Sequence, residues 1–189
     1  MWKASRPLPR SAHRASLAVS VPPEMTRGLS GEKPVVTDET ITPGAIDALE
    51  LARSAVQSMY RTDRASQNLG TEILEVTPGH VRISMTVRPE MVNGHGLCHG
   101  GIIFTLADSA FAFACNSHGE PMVAAGASIE FLAPTPAGEL LTALATEVSR
   151  GARHGIYDVR VTKSSGETVA LFRGRCARLR LPTPNEITA

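Results

Sequence analysis

Between Asn93 and Ser117 the chain reads NGHGLCHGGIIFTLADSAFAFACNS, which sets two histidines, two cysteines, an adjacent glycine pair and one carboxylate, Asp108, around an apolar run. Burying an ionised carboxylate without partners costs several kcal/mol, so Asp108 needs either compensation or a task. As a structural residue it would cap a loop or face a wet interface. As a functional one it would be a general base, tuned by partial desolvation and able to take a proton from water. Just upstream, His99-Gly100-Gly101 offers backbone that a ligand can approach closely, unpaired N–H groups and the positive end of a helix dipole. That is the make-up of an oxyanion site, although glycines also serve simply to permit a tight entry turn.

The imidazoles and thiols are weaker candidates. His95, Cys98 and His99 lie tightly together beside glycines and lack the remote ligand pair of a structural zinc site, so no metal is expected. Cys98 as a nucleophile would need an activating base, and adjacent residues rarely point at each other. Cys98 and Cys115 are read as packing residues.

The element that must position this chemistry is the helix Gly100 to Asn116, apolar or small on all sides of a helical wheel, with Asp108 its only charge. Such a helix is expected to be buried all round. Strands before and after it point to an α+β domain in which an antiparallel sheet wraps a long central helix. Gly101 and Asp108 are seven positions apart, on one face but about 10 Å apart along the axis. One helix serves both roles awkwardly. If two chains pack their helices antiparallel across a two-fold axis, Asp108 of one comes near Gly101 of the other, and a homodimer with composite sites is expected.

Upstream, GAIDALELARSAVQSMYRTDRAS carries apolar residues at helical spacing after Pro43 and predicts one amphipathic helix. LGTEILEV and HVRISMTV flank Thr77-Pro78-Gly79 and predict a hairpin with one buried face. Downstream, MVAAGASIEFLAP, ELLTALATEVSR, HGIYDVRVTK and ETVALFRGRCARLRL read as four strands. Their short Gly-containing connections favour meander pairing.

A chain of 189 residues suits one domain with extra length, and a formal charge of +1 gives no argument for nucleic acid or an anionic membrane as partner. Three cysteines without CxxC spacing argue for a reducing compartment, hence the cytoplasm. No uncharged apolar run is long enough to span a bilayer. Residues 1–43 are expected to be a disordered extension, with a transit peptide or a true start at Met25 as other readings of its first segment. Residues 44–181 are expected to form the folded domain and 182–189 a flexible tail.

The quoted stretch, followed by IEFLAP, GIYDV and VALFRG in that order, resembles the hotdog-fold acyl-CoA thioesterases of the phenylacetate-degradation (PaaI) type, from about Met59 to Leu179. The resemblance implies hydrolysis of an acyl-CoA, hydroxyphenylacetyl-CoA among the leading candidates, without a cofactor. It implies that the Gly101 N–H, helped by Asn93, polarises the thioester carbonyl, while Asp108 of the partner chain activates water or attacks directly. His99 would support the helix entry or the substrate, and Gly100 would lie against the substrate. Some relatives hold the water with a hydroxyl on the next strand, where this chain has Ala124 and Ala125, with Ser128 slightly later. Arg153 is a candidate for the coenzyme A phosphates, as are Arg150, His154, Lys163 and Arg173. Hotdog dimers often pair further, so a homotetramer is expected. An enoyl-thioester hydratase or dehydratase, or a non-catalytic acyl-CoA-binding regulator, would reuse the same fold.

Overall fold

The computed structural model describes residues 43–179, which fall in one compact unit. The expectations for the extension up to Pro43 and for the 182–189 tail lie outside the described residues. The elements are α1 (Pro43–Thr62), α2 (Arg64–Leu69), β1 (Glu72–Thr77), β2 (His80–Thr86), a 3-10 turn (Pro89–Met91), α3 (Gly100–Asn116), β3 (Met122–Phe131), β4 (Leu140–Arg150), β5 (His154–Lys163) and β6 (Thr168–Arg178). The strands form one antiparallel sheet in the order β1-β2-β4-β5-β6-β3, wrapped around α3 in the hotdog arrangement that the resemblance implies.

Two expectations are corrected. The first helix is not continuous: Asp63 leaves helical geometry and caps α2, its carboxylate accepting the Ser66 N–H at 3.0 Å. A side chain that satisfies an orphan N–H of the next helix outweighs one more turn of the previous one. Among the last four strands, only β4-β5-β6 is a meander. β3 pairs with β6 at the far edge instead of with β4, because strands flanking α3 in sequence must emerge on opposite sides of it if the sheet is to enclose the helix. The Pro-rich segment after Phe131 makes the crossing.

Leu106, Ala110, Phe111, Phe113 and Ala114 of α3 are fully buried against the concave face of the sheet. Gly174 on β6 permits the closest approach: a Cβ there would lie 2.8 Å from the Phe111 ring. The ring in turn packs against Tyr157 and Phe172, with centroids 5.8 Å away in both cases.

At its C-terminus α3 is stitched to the sheet. The Asn116 side chain accepts from Met122 N–H and donates to its carbonyl, while Ser117 Oγ accepts the Gly79 N–H at 2.7 Å.

The helix is not covered all round, which corrects the third expectation. Gly101 is exposed, and Phe104, Thr105, Asp108 and Ala112 are half-buried, a stripe at i, i+3, i+4, i+7 spacing. Beside it, β3 is exposed from Val123 to Ser128, a run of mostly small residues along a sheet edge whose other side has no partner strand among the described residues.

Candidate active site

The loop before α3 is held by backbone bonds at its base. His99 N–H donates to the Met91 carbonyl at 2.8 Å and Cys98 N–H to the Thr135 carbonyl at 2.7 Å. Asn93 shapes the loop from within: its Oδ1 accepts the His95 N–H at 2.9 Å and the Leu97 N–H at 3.4 Å. With the oxygen so engaged, the amide NH2 faces the other way, and it makes no hydrogen bond to the described residues.

His99 is the N-cap of α3, its Nδ1 accepting the Gly101 N–H at 2.9 Å. This fixes Nε2 as the protonated nitrogen of the neutral ring. It also bears on the expected oxyanion donor. The Gly101 N–H is already engaged, whereas the Gly100 N–H, one residue earlier, takes no partner among the described residues and points from the positive end of the helix dipole. The open amide is therefore that of Gly100.

Asn93, Gly100, Ile103, Phe131, Leu132 and Thr135 share the wall of a cavity of about 380 Å³ at this end of the helix. Phe131 leans on Gly100, where a Cβ would come within 3.1 Å of the ring.

Asp108 stands two turns further on, on the uncovered stripe. Burial, and secondarily the negative charge of Asp63, holds its carboxyl above the ordinary carboxylate value, with no stabilising partner among the described residues. Ser66, capped by Asp63, shares a buried 2.8 Å hydrogen bond with Ser109, so α2 braces the turn that carries Asp108.

The remaining candidates lie elsewhere. Ser128 occupies the outer face of the sheet, in one row with Arg173, Asp158 and Thr146, and it lines a separate cavity there. Arg153 sits in the β4–β5 turn beside Arg178, near the C-terminal end of α3. Within one chain the structure thus joins Asn93, His99, Gly100 and Gly101, and separates them from Asp108, Ser128 and Arg153.

His95 and His99 are exposed while Cys98 is buried, and no cluster of three or more metal-ligating side chains forms among the described residues. Two residues at the site escape sequence reasoning. Asp63 looks like a helix-surface charge, and Thr135 like part of a loop, although the flanking Pro134 and Pro136 signal a rigid backbone there.

Residues 95–170 match the model of the thioesterase superfamily. The chain is 44% identical over 122 residues to the acyl-coenzyme A thioesterase PaaI of Escherichia coli strain K12, covering 65% of this chain and 87% of that one. It is 40% identical over 121 residues to a putative esterase of Archaeoglobus fulgidus, covering 64% and 79%. The solved structure of the E. coli PaaI protein from the phenylacetic acid degradation operon superposes with a TM-score of 0.69 at 41% identity, over 70% of this chain and 96% of that one.

Proposed function

This chain belongs to the thioesterase superfamily, as a hotdog-fold hydrolase of thioester bonds, and from that premise we propose that it cleaves an aryl-acetyl-CoA such as hydroxyphenylacetyl-CoA to the free acid and coenzyme A. The observation that carries the reading is the placement of Asp108: half-buried, without a compensating partner among the described residues, on the stripe of α3 that they leave uncovered. A carboxylate with a raised pKa in a partly dry setting is suited to accept a proton from water.

The proposed reaction runs in two steps. Asp108 takes a proton from water, whose oxygen attacks the thioester carbon while the carbonyl oxygen gains charge. The Gly100 N–H and the Asn93 amide, both without partners among the described residues, receive that oxyanion at the positive end of α3. The C–S bond then breaks, and the leaving sulfur takes the proton that Asp108 holds, which releases coenzyme A as the thiol and returns Asp108 to its carboxylate. His99 keeps the helix entry in register by capping Gly101.

Since one chain holds Asp108 about two turns from its own oxyanion donors, the site is proposed to be shared in a homodimer. The open edge of β3, with its small exposed residues beside the uncovered stripe of α3, supports this assembly. Pairing β3 with its own copy across a two-fold axis reverses the second α3, which brings the middle of one helix toward the N-terminus of the other. The same reversal moves the C-terminal end of α3, where Arg153 lies, toward the partner's site, in keeping with a role at the coenzyme A phosphates. Pairing of dimers into a tetramer and a cytoplasmic location complete the proposal. Among the described residues no helix is long and apolar enough to cross a membrane.

Thiol release from a panel of short-chain, long-chain and aryl-acetyl CoA esters tests the reaction; no release from any member would overturn it. Mixing inactive Asp108→Ala and Gly100→Pro chains tests the shared site. Partial recovery of activity is expected after exchange, and no recovery despite demonstrated heterodimers would refute sharing.

A further inference from the structure

Thr135 is 1% exposed, and its hydroxyl is the sole side-chain polar atom among the described residues that is sealed from solvent with no hydrogen-bond partner. Buried hydroxyls are almost always paired, and one that is not calls for a cause. Valine has nearly the same shape and would fill the position without that penalty.

The backbone leaves Thr135 little choice of place. Pro134 and Pro136 fix the torsions on either side, and its carbonyl is held by the Cys98 N–H at 2.7 Å. Leu97 forms a bridge to Pro136 across the same gap. Rotation about χ1 is the freedom that remains to the hydroxyl.

The residue forms part of the wall of the roughly 380 Å³ cavity whose other walls are Asn93 and Gly100 on one side and Ile103, Phe131 and Leu132 on another. The cavity thus has polar and apolar wall in nearly equal parts, the proposed oxyanion donors among its residues, and Thr135 in its wall with a hydroxyl that only a turn about χ1 would bring to a ligand. An acyl group whose carbonyl lies at Gly100 would extend its body along these apolar side chains.

We propose that Thr135 is a specificity-determining residue that hydrogen-bonds an oxygen substituent on an otherwise apolar acyl group. The inference rests on the thioesterase reading above and deepens it, because it assigns the selection among acyl groups to one side chain. A threonine hydroxyl can both donate and accept, so it suits a hydroxyl on the ligand. A site that spends a buried polar group on a substrate oxygen rejects the analogue lacking it, since the group is then left unpaired.

The test compares phenylacetyl-CoA with its 2-, 3- and 4-hydroxy forms on the full chain, Thr135→Val and Thr135→Ser. The wild type is expected to favour at least one hydroxy form over phenylacetyl-CoA by roughly 10- to 100-fold in kcat/KM. Thr135→Val is expected to bring that ratio to within about twofold of one and to melt no lower than the wild type. Thr135→Ser is expected to keep the preference. A preference that survives in Thr135→Val, or a wild type with none, overturns the inference while leaving the thioesterase reading in place. Absence of thiol release from every ester by the wild type overturns that reading, and the inference with it.

Discussion

Replacing Asp108 by asparagine is expected to separate catalysis from stability in opposite directions. The substitution keeps size and shape and removes the charge. Positioned general bases contribute about 10²–10⁴-fold, so kcat should fall by that factor, equivalent to roughly 3–5 kcal/mol of transition-state stabilisation. Stability moves the other way. Burial and the nearby Asp63 raise the Asp108 pKa above the ordinary carboxylate value, so the folded chain holds this proton more tightly than the unfolded chain does. Between the unfolded value and the raised folded one, the native state binds more protons, and stability falls as pH rises through that window. Above the window the full cost of ionising a half-buried carboxylate is present. Asp108→Asn carries no such cost and should melt higher than the wild type at neutral pH, with the difference vanishing below the unfolded pKa. The same titration predicts kcat/KM of the wild type rising with pH up to the raised pKa and then levelling. Thiol release followed with a chromogenic thiol reagent, and thermal melts from acid to neutral pH, measure both effects. An asparagine variant within tenfold of wild-type kcat would refute the general-base role, and one that melts lower at neutral pH would refute the account of the raised pKa.

Two further substitutions probe what positions the site. Gly174→Ala should destabilise by about 1–3 kcal/mol in urea denaturation, because its methyl would meet the Phe111 ring at 2.8 Å and push α3 off the sheet; an unchanged midpoint would show that the ring relaxes freely. His99→Ala should cost about 1 kcal/mol by removing the cap on the Gly101 N–H, whereas His99→Asn, which keeps an acceptor, should recover most of it; equal losses in both would mean that capping is not what His99 contributes to stability.

What the sequence reveals about this fold follows from how local the determining physics is. The limits of α3, Gly100 and Asn116, are legible because glycines, an apolar run and a closing Asn-Ser pair all lie within the element itself. The β1–β2 hairpin is equally local, since β2 alternates between the two faces and the turn carries its own glycine, Gly79, at φ +74°. The break at Asp63 hides because Arg61, Thr62 and Arg64 suit a continuous helix, and only the reach of the Asp63 carboxylate to Ser66 decides otherwise. The neighbour of β3 is a closure problem. Its run Ala124-Ala125-Gly126-Ala127-Ser128 has no alternation to assign a face, and its pairing with β6 depends on the sheet having to surround α3. At the site, Asp108, Asn93 and the glycine pair stand out by type and spacing. The choice between Gly100 and Gly101 does not, because two glycines look alike until a histidine side chain occupies one of their amides.

The polar groups left without partners have a distribution that carries its own argument. Several buried or half-buried polar side chains of the described residues are spent on neighbours: Ser66 on Ser109, Asn116 on Met122, Tyr157 on Glu147. Around α3 several are unspent: the Gly100 N–H and the Asn93 amide at its start, Thr135 beside that start, Asp108 on its uncovered stripe. A chain that satisfies its polar groups in one region and leaves them open in another has a use for the open ones. In the proposed homodimer, the exposed stripe and the open β3 edge would be the surface that the second chain covers. On the proposed two-fold assembly, burial of the stripe by the partner would dry Asp108 further and push its pKa higher still. Association would then tune the base as well as deliver it, and loosening the β3 edge should lower activity before it unfolds either chain.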